Sequence, residues 1–565
     1  MGDGGRDRRF PGGVRIVLVV AVLLACALGA VALLSTHKSS GGGAPSPAAS
    51  PTPAPVVETE SGLVRGAIIA GVPSYLGIPY AEPPVGDLRW RPPQPPSSWD
   101  GVRSCVAYGA SCPQGATPYQ SSPSGGSYSE DCLYLNVFTP AASPGERLPV
   151  MVWIHGGGFT SGSGSLPSHQ GQTLAGDEHV VVVSMNYRLG VFGFFALPAL
   201  SAESKNGVSG NYGIMDQTYA LRWVQGNIAA FGGDPGRVTI FGQSAGAQSV
   251  LVHYVSPLSR GLFKRAISES ARYQDYGMGL WASLPLRVQE LEGEEIAGRL
   301  DIPEGPGQLP ALRAVSADEL LEVTASDTDP FPMGFVKPTQ PSFQPVVDGY
   351  VLPDQVWKLL QTGRFARAPL LIGSNAQECD MWTSSVPPDQ AAIVTAGARA
   401  AVARYVGRLW PAYAALFPPA QYGSIMAATS KMMTVAEFYA PARYAAHCVS
   451  RRGVPAYLYY FTQQPPGSTS GAVHCAEIPY VFGTEREAGS DGQTDPADVR
   501  LSAEMSGYWA GFAAAGDPNA QGRPRWPAFA WSRELLMRLG QPQTEPVVAP
   551  ERKAADMAEL AAHVH

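Results

Sequence analysis

The stretch that most limits how this chain folds is Arg237-Val-Thr-Ile-Phe-Gly-Gln-Ser-Ala-Gly246. Its first half is β-branched and aromatic, as in a buried strand, and it stops at a Gly-x-Ser-x-Gly pattern. A strand that reverses sharply into a helix leaves no room for branched side chains at the bend. Small residues must therefore flank Ser244, and its hydroxyl is pushed out above the sheet. Ser244 is then either a nucleophile or a small residue filling a crowded turn, and the rest of the chain has to decide.

Other segments repeat the strand pattern. Residues 150–159 (VMVWIHGGGF) read as a buried strand running into a glycine loop, and residues 179–188 (HVVVVSMNYR) and 368–375 (APLLIGSN) as further buried strands. Runs that are apolar on both faces suit the interior of a parallel sheet. Residues 216–231 carry helical apolar spacing between two of these strands, and 285–340 reads as helices and loops decorating the sheet. The alternation predicts an α/β fold, a mostly parallel central sheet flanked by helices.

The N-terminus is built differently. Arg6, Arg8, Arg9 and Arg15 lie in a basic region, 1–15, ahead of an uncharged run from Ile16 to Leu34. That run reaches about 28 Å as a helix, close to the hydrocarbon thickness of a bilayer. The arginines orient residues 1–15 toward the cytoplasm, so that everything downstream is exported. Two readings of 16–34 stand: a transmembrane signal-anchor, or a signal peptide cleaved at the Ala30-Val31-Ala32 pattern. Residues 35–57, rich in Pro, Ala, Ser and Gly, read as a linker, and the folded domain is expected over 58–565, outside the cytoplasmic membrane. With 15% charged residues and a net charge of −7, the chain has no basic surface with which to neutralise a nucleic acid. Membrane contact is expected only through the N-terminal segment. No metal-ligand spacing or cofactor signature is read, and nothing in the sequence sets the oligomeric state.

Acyl transfer needs a nucleophile, a base, a group that holds the base, and donors for an oxyanion. The glycines of His155-Gly-Gly-Gly158 follow a strand and let bare N–H groups approach a substrate oxygen. With the N–H of Ala245, those of Gly157 and Gly158 form a candidate oxyanion hole. Of the histidines after Ser244, His253 falls on the helix leaving the turn, His447 in a helical run, and His563 and His565 in the tail. His474 follows the strand-like run AYLYYF and a loop, and is the best placed base. Glu378, at the end of the strand 368–375, is the favoured acid; Asp348, its rival, precedes a glycine and reads as a turn residue.

With these residues in view, the chain resembles the type B carboxylesterases, the cholinesterase-like branch of the α/β-hydrolases. EDCLYLNVFTP (130–140) and FGGDPGRVTIFGQSAG (231–246) match that family's two signature stretches. HGGGF, NYRLGVFGF, GNYGIMDQ, GLFKRAIS, PVVDGY, GAVHCAEIPYVFG and GDPN match it elsewhere in the chain. The resemblance covers about 57 to 531 and implies an α/β-hydrolase fold, a Ser244–His474–Glu378 triad, and oxyanion donors at Gly157, Gly158 and Ala245. It implies a Cys112–Cys132 disulfide and a structural Arg89–Glu130 ion pair. Trp281 resembles the acyl-pocket tryptophan of the family; a core aromatic is the other reading.

The chain departs from the family in three respects. Gln243 stands where a glutamate usually precedes the serine, and it borders the substrate pocket without a charge. The 112–132 loop has no tryptophan to hold a cationic ammonium, so a cholinesterase is not expected. Cys379 and Cys475 stand where glycines are common, each directly after a proposed triad member; they are either a disulfide fixing the acid–base pair or two small thiols. The leading function is hydrolysis of small-molecule carboxylic esters through an acyl-serine, without a cofactor. The alternatives are an amidase or carbamate hydrolase on the same triad, and a non-catalytic surface adhesion module of the same fold.

Overall fold

The computed structural model of the chain describes residues 52–115, 123, 126–271, 283–325, 343–465, 471–484 and 495–562. The N-terminal regions 1–15 and 16–34, residues 35–51 of the linker, and Trp281 lie outside the described residues. Among the described residues, no helix is long and apolar enough to cross a membrane.

Thirteen strands form one sheet: β1 Pro53–Thr59, β2 Gly62–Ile69, β3 Val72–Pro79, β4 Val102–Ser104, β5 Tyr134–Phe138, β6 Leu148–Ile154, β7 Val181–Met185, β8 Gly233–Gln243, β9 Arg265–Glu269, β10 Leu370–Asn375, β11 Ala456–Phe461, β12 Leu535–Leu539 and β13 Glu545–Val548. The centre runs β7-β6-β8-β9-β10-β11-β12 and every pairing in it is parallel. Every residue of β6, β7, β10 and β11 is buried, which is why these segments read as unbroken apolar runs. The helix Ala245–Val255 packs on β8 and β9, Ala440–Ser450 on β10 and β11, and Pro496–Ala515 on β6 and β8.

Periodicity underspecified the edges. β1, β2, β3 and β5 add an antiparallel wing before β7, and β13 closes the far side antiparallel to β12. The folded body was expected from Glu58, yet β1 begins at Pro53. Proline at the start of an outermost strand forfeits no ladder hydrogen bond, so a Pro-rich segment that looks like linker extends the sheet. The helix expected over 216–231 starts at Tyr212, and its last turn, Ile228–Phe231, tightens to a 3-10 helix. In 285–340 the chain forms the helices Leu286–Arg299, Gln308–Ala314 and Ala317–Thr324 before the described residues end at 325.

Candidate active site

The bend after β8 is as tight as its composition requires. Ser244 sits at φ 56°, ψ −121°, a backbone conformation that costs a non-glycine residue about 1–3 kcal/mol and recurs where a functional group is held in place. The bend is pinned from both sides, since Ser244 N–H donates to Glu269 O at 2.9 Å and Gln248 N–H donates to Ser244 O at 2.9 Å. A Cβ on Gly246 would lie 1.9 Å from Ile154 O, so only glycine lets the new helix start against β6. Ser244 remains half-buried in a bend whose neighbours are buried.

The glycine loop after β6 lies over this bend. A Cβ on Gly156 would come within 3.1 Å of Ser244 Cβ, and Gly157 and Gly158 turn away at φ 108° and 62°. Among the described residues, the N–H groups of Gly157 and Gly158 make no hydrogen bond. That of Ala245 opens a helix and has no acceptor within it. Three unspent donors therefore belong to backbone on either side of Ser244.

Two loops at the ends of β10 and β11 carry Glu378 and His474. The Nδ1 of His474 is 2.6 Å from Glu378 Oε2, and Glu378 Oε1 accepts the N–H of Asn375 at 2.7 Å. Their side chains are 3% and 0% exposed, so this contact works without competing water. The loops are also tied to each other: Gln377 N–H donates to Ala472 O, Ala472 N–H to Gln377 Oε1, and Asn375 Nδ2 to Val473 O at 2.8 Å. The His474 ring lies near Trp382 and Phe438, each with a centroid separation of 5.2 Å. Gln243, the residue before Ser244, brings its Nε2 within 3.3 Å of His474 Nε2, so the histidine loop meets the serine bend.

The competing histidines and acid have other work. His253 is buried with Nδ1 on Ser259 Oγ and Nε2 on Gln217 Oε1, and burial lowers its pKa to about 3. His447, in the helix Ala440–Ser450, packs its ring at a tilt against Trp531. Asp348 accepts the N–H groups of Tyr350, Val351 and Leu352 on one oxygen and Asn211 Nδ2 on the other, which closes a turn.

Cys112 and Cys132 are disulfide-bonded with Cα atoms 5.0 Å apart. Arg89 grips Glu130 with both Nε and Nη2, at 2.7 and 2.5 Å. A Cys379–Cys475 disulfide does not form. Cys475 adopts φ 70° and aims its sulfur at Gln243 Oε1, 3.3 Å away, while Cys379 is fully buried where its N–H donates to Thr434 Oγ1. The contact between Glu378 and His474 thus does not carry over to the residues that follow them.

A second tier of carboxylates behind the site was not read from the sequence. Glu477 is fully buried, accepting Asn375 Nδ2 at 2.5 Å and Ser270 Oγ at 3.2 Å. Burial, and then the neighbouring Glu378, raise its pKa to about 8, so it keeps its proton at neutral pH. Glu269, held by Trp509 Nε1 at 2.8 Å, is pushed up by burial and then by Glu477. The only signal in the sequence was an acid three residues after His474, which a turn explains equally well.

Comparison with known proteins agrees with this architecture. The sequence model of the Carboxylesterase family matches residues 53–558. The chain is 37% identical over 515 residues to the fumonisin B1 esterase of Sphingopyxis macrogoltabida, covering 90% of this chain and 91% of that protein. It is 36% identical over 498 residues to the para-nitrobenzyl esterase of Bacillus subtilis (strain 168), covering 85% and 94%. A solved structure of a PNB esterase superposes with a TM-score of 0.76 at 33% identity, over 89% of this chain and 99% of that one. The chain belongs to the type B carboxylesterase family, a carboxylic ester hydrolase built on the α/β-hydrolase fold.

Proposed function

We propose that Ser244 is the nucleophile, His474 its general base, Glu378 the group that holds the imidazole, and the N–H groups of Gly157, Gly158 and Ala245 the oxyanion donors. One conjunction carries this reading. A serine at φ 56° in a strand-to-helix bend directly follows Gln243, whose amide lies 3.3 Å from a buried imidazole whose Nδ1 is 2.6 Å from a buried carboxylate.

In the first half-reaction, His474 Nε2 takes the Ser244 proton as Oγ attacks the ester carbonyl, and the new oxyanion is met by backbone N–H groups that need no reorganisation. Collapse breaks the bond to the alcohol, which leaves with the proton from the imidazolium. Water, deprotonated by the same imidazole, then attacks the acyl-serine; the acyl–Oγ bond breaks, the imidazolium returns its proton to Ser244 Oγ, and the acid is released. The Glu378 carboxylate holds Nδ1 and stabilises the imidazolium. Small-molecule carboxylic esters are the substrate class, a reading supported by the names of the relatives. Turnover of nitrophenyl esters of increasing acyl length tests it. Ser244→Ala is expected to lose at least about 10⁴-fold in kcat, and a variant that keeps wild-type turnover would remove Ser244 from the mechanism.

We infer further that the catalytic body works outside the cytoplasmic membrane, exported by residues 16–34. The arginines ahead of that run, its length and the Cys112–Cys132 disulfide support this. N-terminal sequencing of the protein from membrane and secreted fractions separates a retained anchor from a cleaved signal. Recovery with an intact N-terminus in the cytoplasm contradicts export.

A further inference from the structure

Two of the departures from the family pattern, Gln243 and Cys475, touch each other and His474. Cys475 Sγ is 3.3 Å from Gln243 Oε1, and the amide nitrogen is 3.3 Å from His474 Nε2 and 3.4 Å from Nδ1. An amide oxygen can only accept, so the contact with the sulfur is an S–H donation, and it decides which end of the Gln243 amide faces the ring. Burial, and then the neighbouring carboxyl groups of Glu477 and Glu378, push the Cys475 thiol well above its ordinary range, so it stays protonated and remains a donor.

The two nearly equal distances place the amide nitrogen over the face of the imidazole rather than on the lone pair of either nitrogen. Nδ1 is already committed to Glu378, and the in-plane lone pair of Nε2 is left for the serine proton. An N–H dipole directed at the ring face favours the neutral imidazole over the imidazolium.

We propose that Cys475 and Gln243 act as one positioning unit, in which the thiol fixes the amide so that its NH₂ group covers the face of the His474 ring and holds the base in register. The other ionisable groups around His474 are fixed by partners of their own. Glu378 is on Nδ1, Glu477 on Asn375 and Ser270, and Glu269 on Trp509. Asp380, on the helix that carries Trp382, is held by Ser430, and Glu437 is buried beside Phe438. Gln243 is thus the neutral member of a ring of acids, at the position where the family usually adds another.

The inference rests on the Ser244–His474 reading, and the experiment separates the two. The pH profile of kcat/KM is measured for wild type, Gln243→Glu, Cys475→Ala and Cys475→Ser, with folding checked by circular dichroism. A carboxylate over the ring favours the imidazolium, so Gln243→Glu moves the acid limb up by about one pH unit or more. Cys475→Ala lowers kcat about tenfold with KM little changed, Cys475→Ser restores it, and Cys475→Ala adds no further loss in a Gln243→Ala background. If Gln243→Glu does not fold, Gln243→Met removes the donor at similar length and moves the limb up by less. If Cys475→Ala does not fold, Cys475→Gly suits the positive φ and takes its place. An acid limb in Gln243→Glu that overlays wild type, or additive losses from the two alanine changes, overturns the proposal. Activity that survives Ser244→Ala overturns the underlying reading instead.

Discussion

At the scale of the residue, Glu378 shows how much two hydrogen bonds can decide. Oε1 takes the Asn375 N–H and Oε2 takes His474 Nδ1, which fixes the ring in the tautomer with Nε2 bare. Glu378→Gln keeps the shape but can turn an amide donor toward Nδ1, which favours the tautomer with the proton on Nε2 and removes the carboxylate that stabilises the imidazolium. The expected loss is about 10³ to 10⁴-fold in kcat with KM little changed, read by steady-state kinetics on one nitrophenyl ester. A loss below about tenfold would mean that the carboxylate does not govern the ring.

At the scale of the element, the site exists because three strand ends stop at one level. β8 ends in the serine bend, β10 in the acid loop and β11 leads to the histidine loop. Gly246 carries the first of these. Gly246→Ala sets a Cβ against Ile154 O, and is expected to cost about 3 kcal/mol in a denaturant titration and to open the bend enough to abolish turnover. Unchanged stability would show that the bend has slack. The bend was legible in the sequence because its chemistry is local: five residues state both the turn and the reason for it. The parallel interior was legible because burial on both faces leaves an apolar run. The antiparallel wing was not, since a strand such as Val72–Pro79 alternates weakly and, beyond its hairpin with Gly62–Ile69, finds its second partner, Tyr134–Phe138, far along the chain. Glu477, Trp382 and Phe438 were hidden for the same reason, because their meaning lies in what reaches them across space. The proposed second disulfide failed because adjacency in sequence to two touching residues says nothing about where the next side chains point.

At the scale of the whole molecule, the buried acids couple the site to stability. Glu477 has a usual pKa of 4.5 and is raised to about 8 in the folded chain, so between these values the native state binds the extra proton and the unfolded state does not. Its contribution to stability is therefore present at about pH 4.5 and is lost as the pH rises toward 8. Glu477→Gln removes that slope. The thermal midpoint of the variant, relative to wild type, is expected to be higher at pH 8.5 than at pH 5.5, and parallel midpoints would contradict the assignment. The most direct test of the whole account is covalent. The wild-type protein is treated with a fluorophosphonate, digested, and its peptides weighed. A single adduct on the peptide containing Ser244, lost in Ser244→Ala and formed in step with the loss of esterase activity, is the predicted result. Full inhibition with the adduct on any other residue would contradict it.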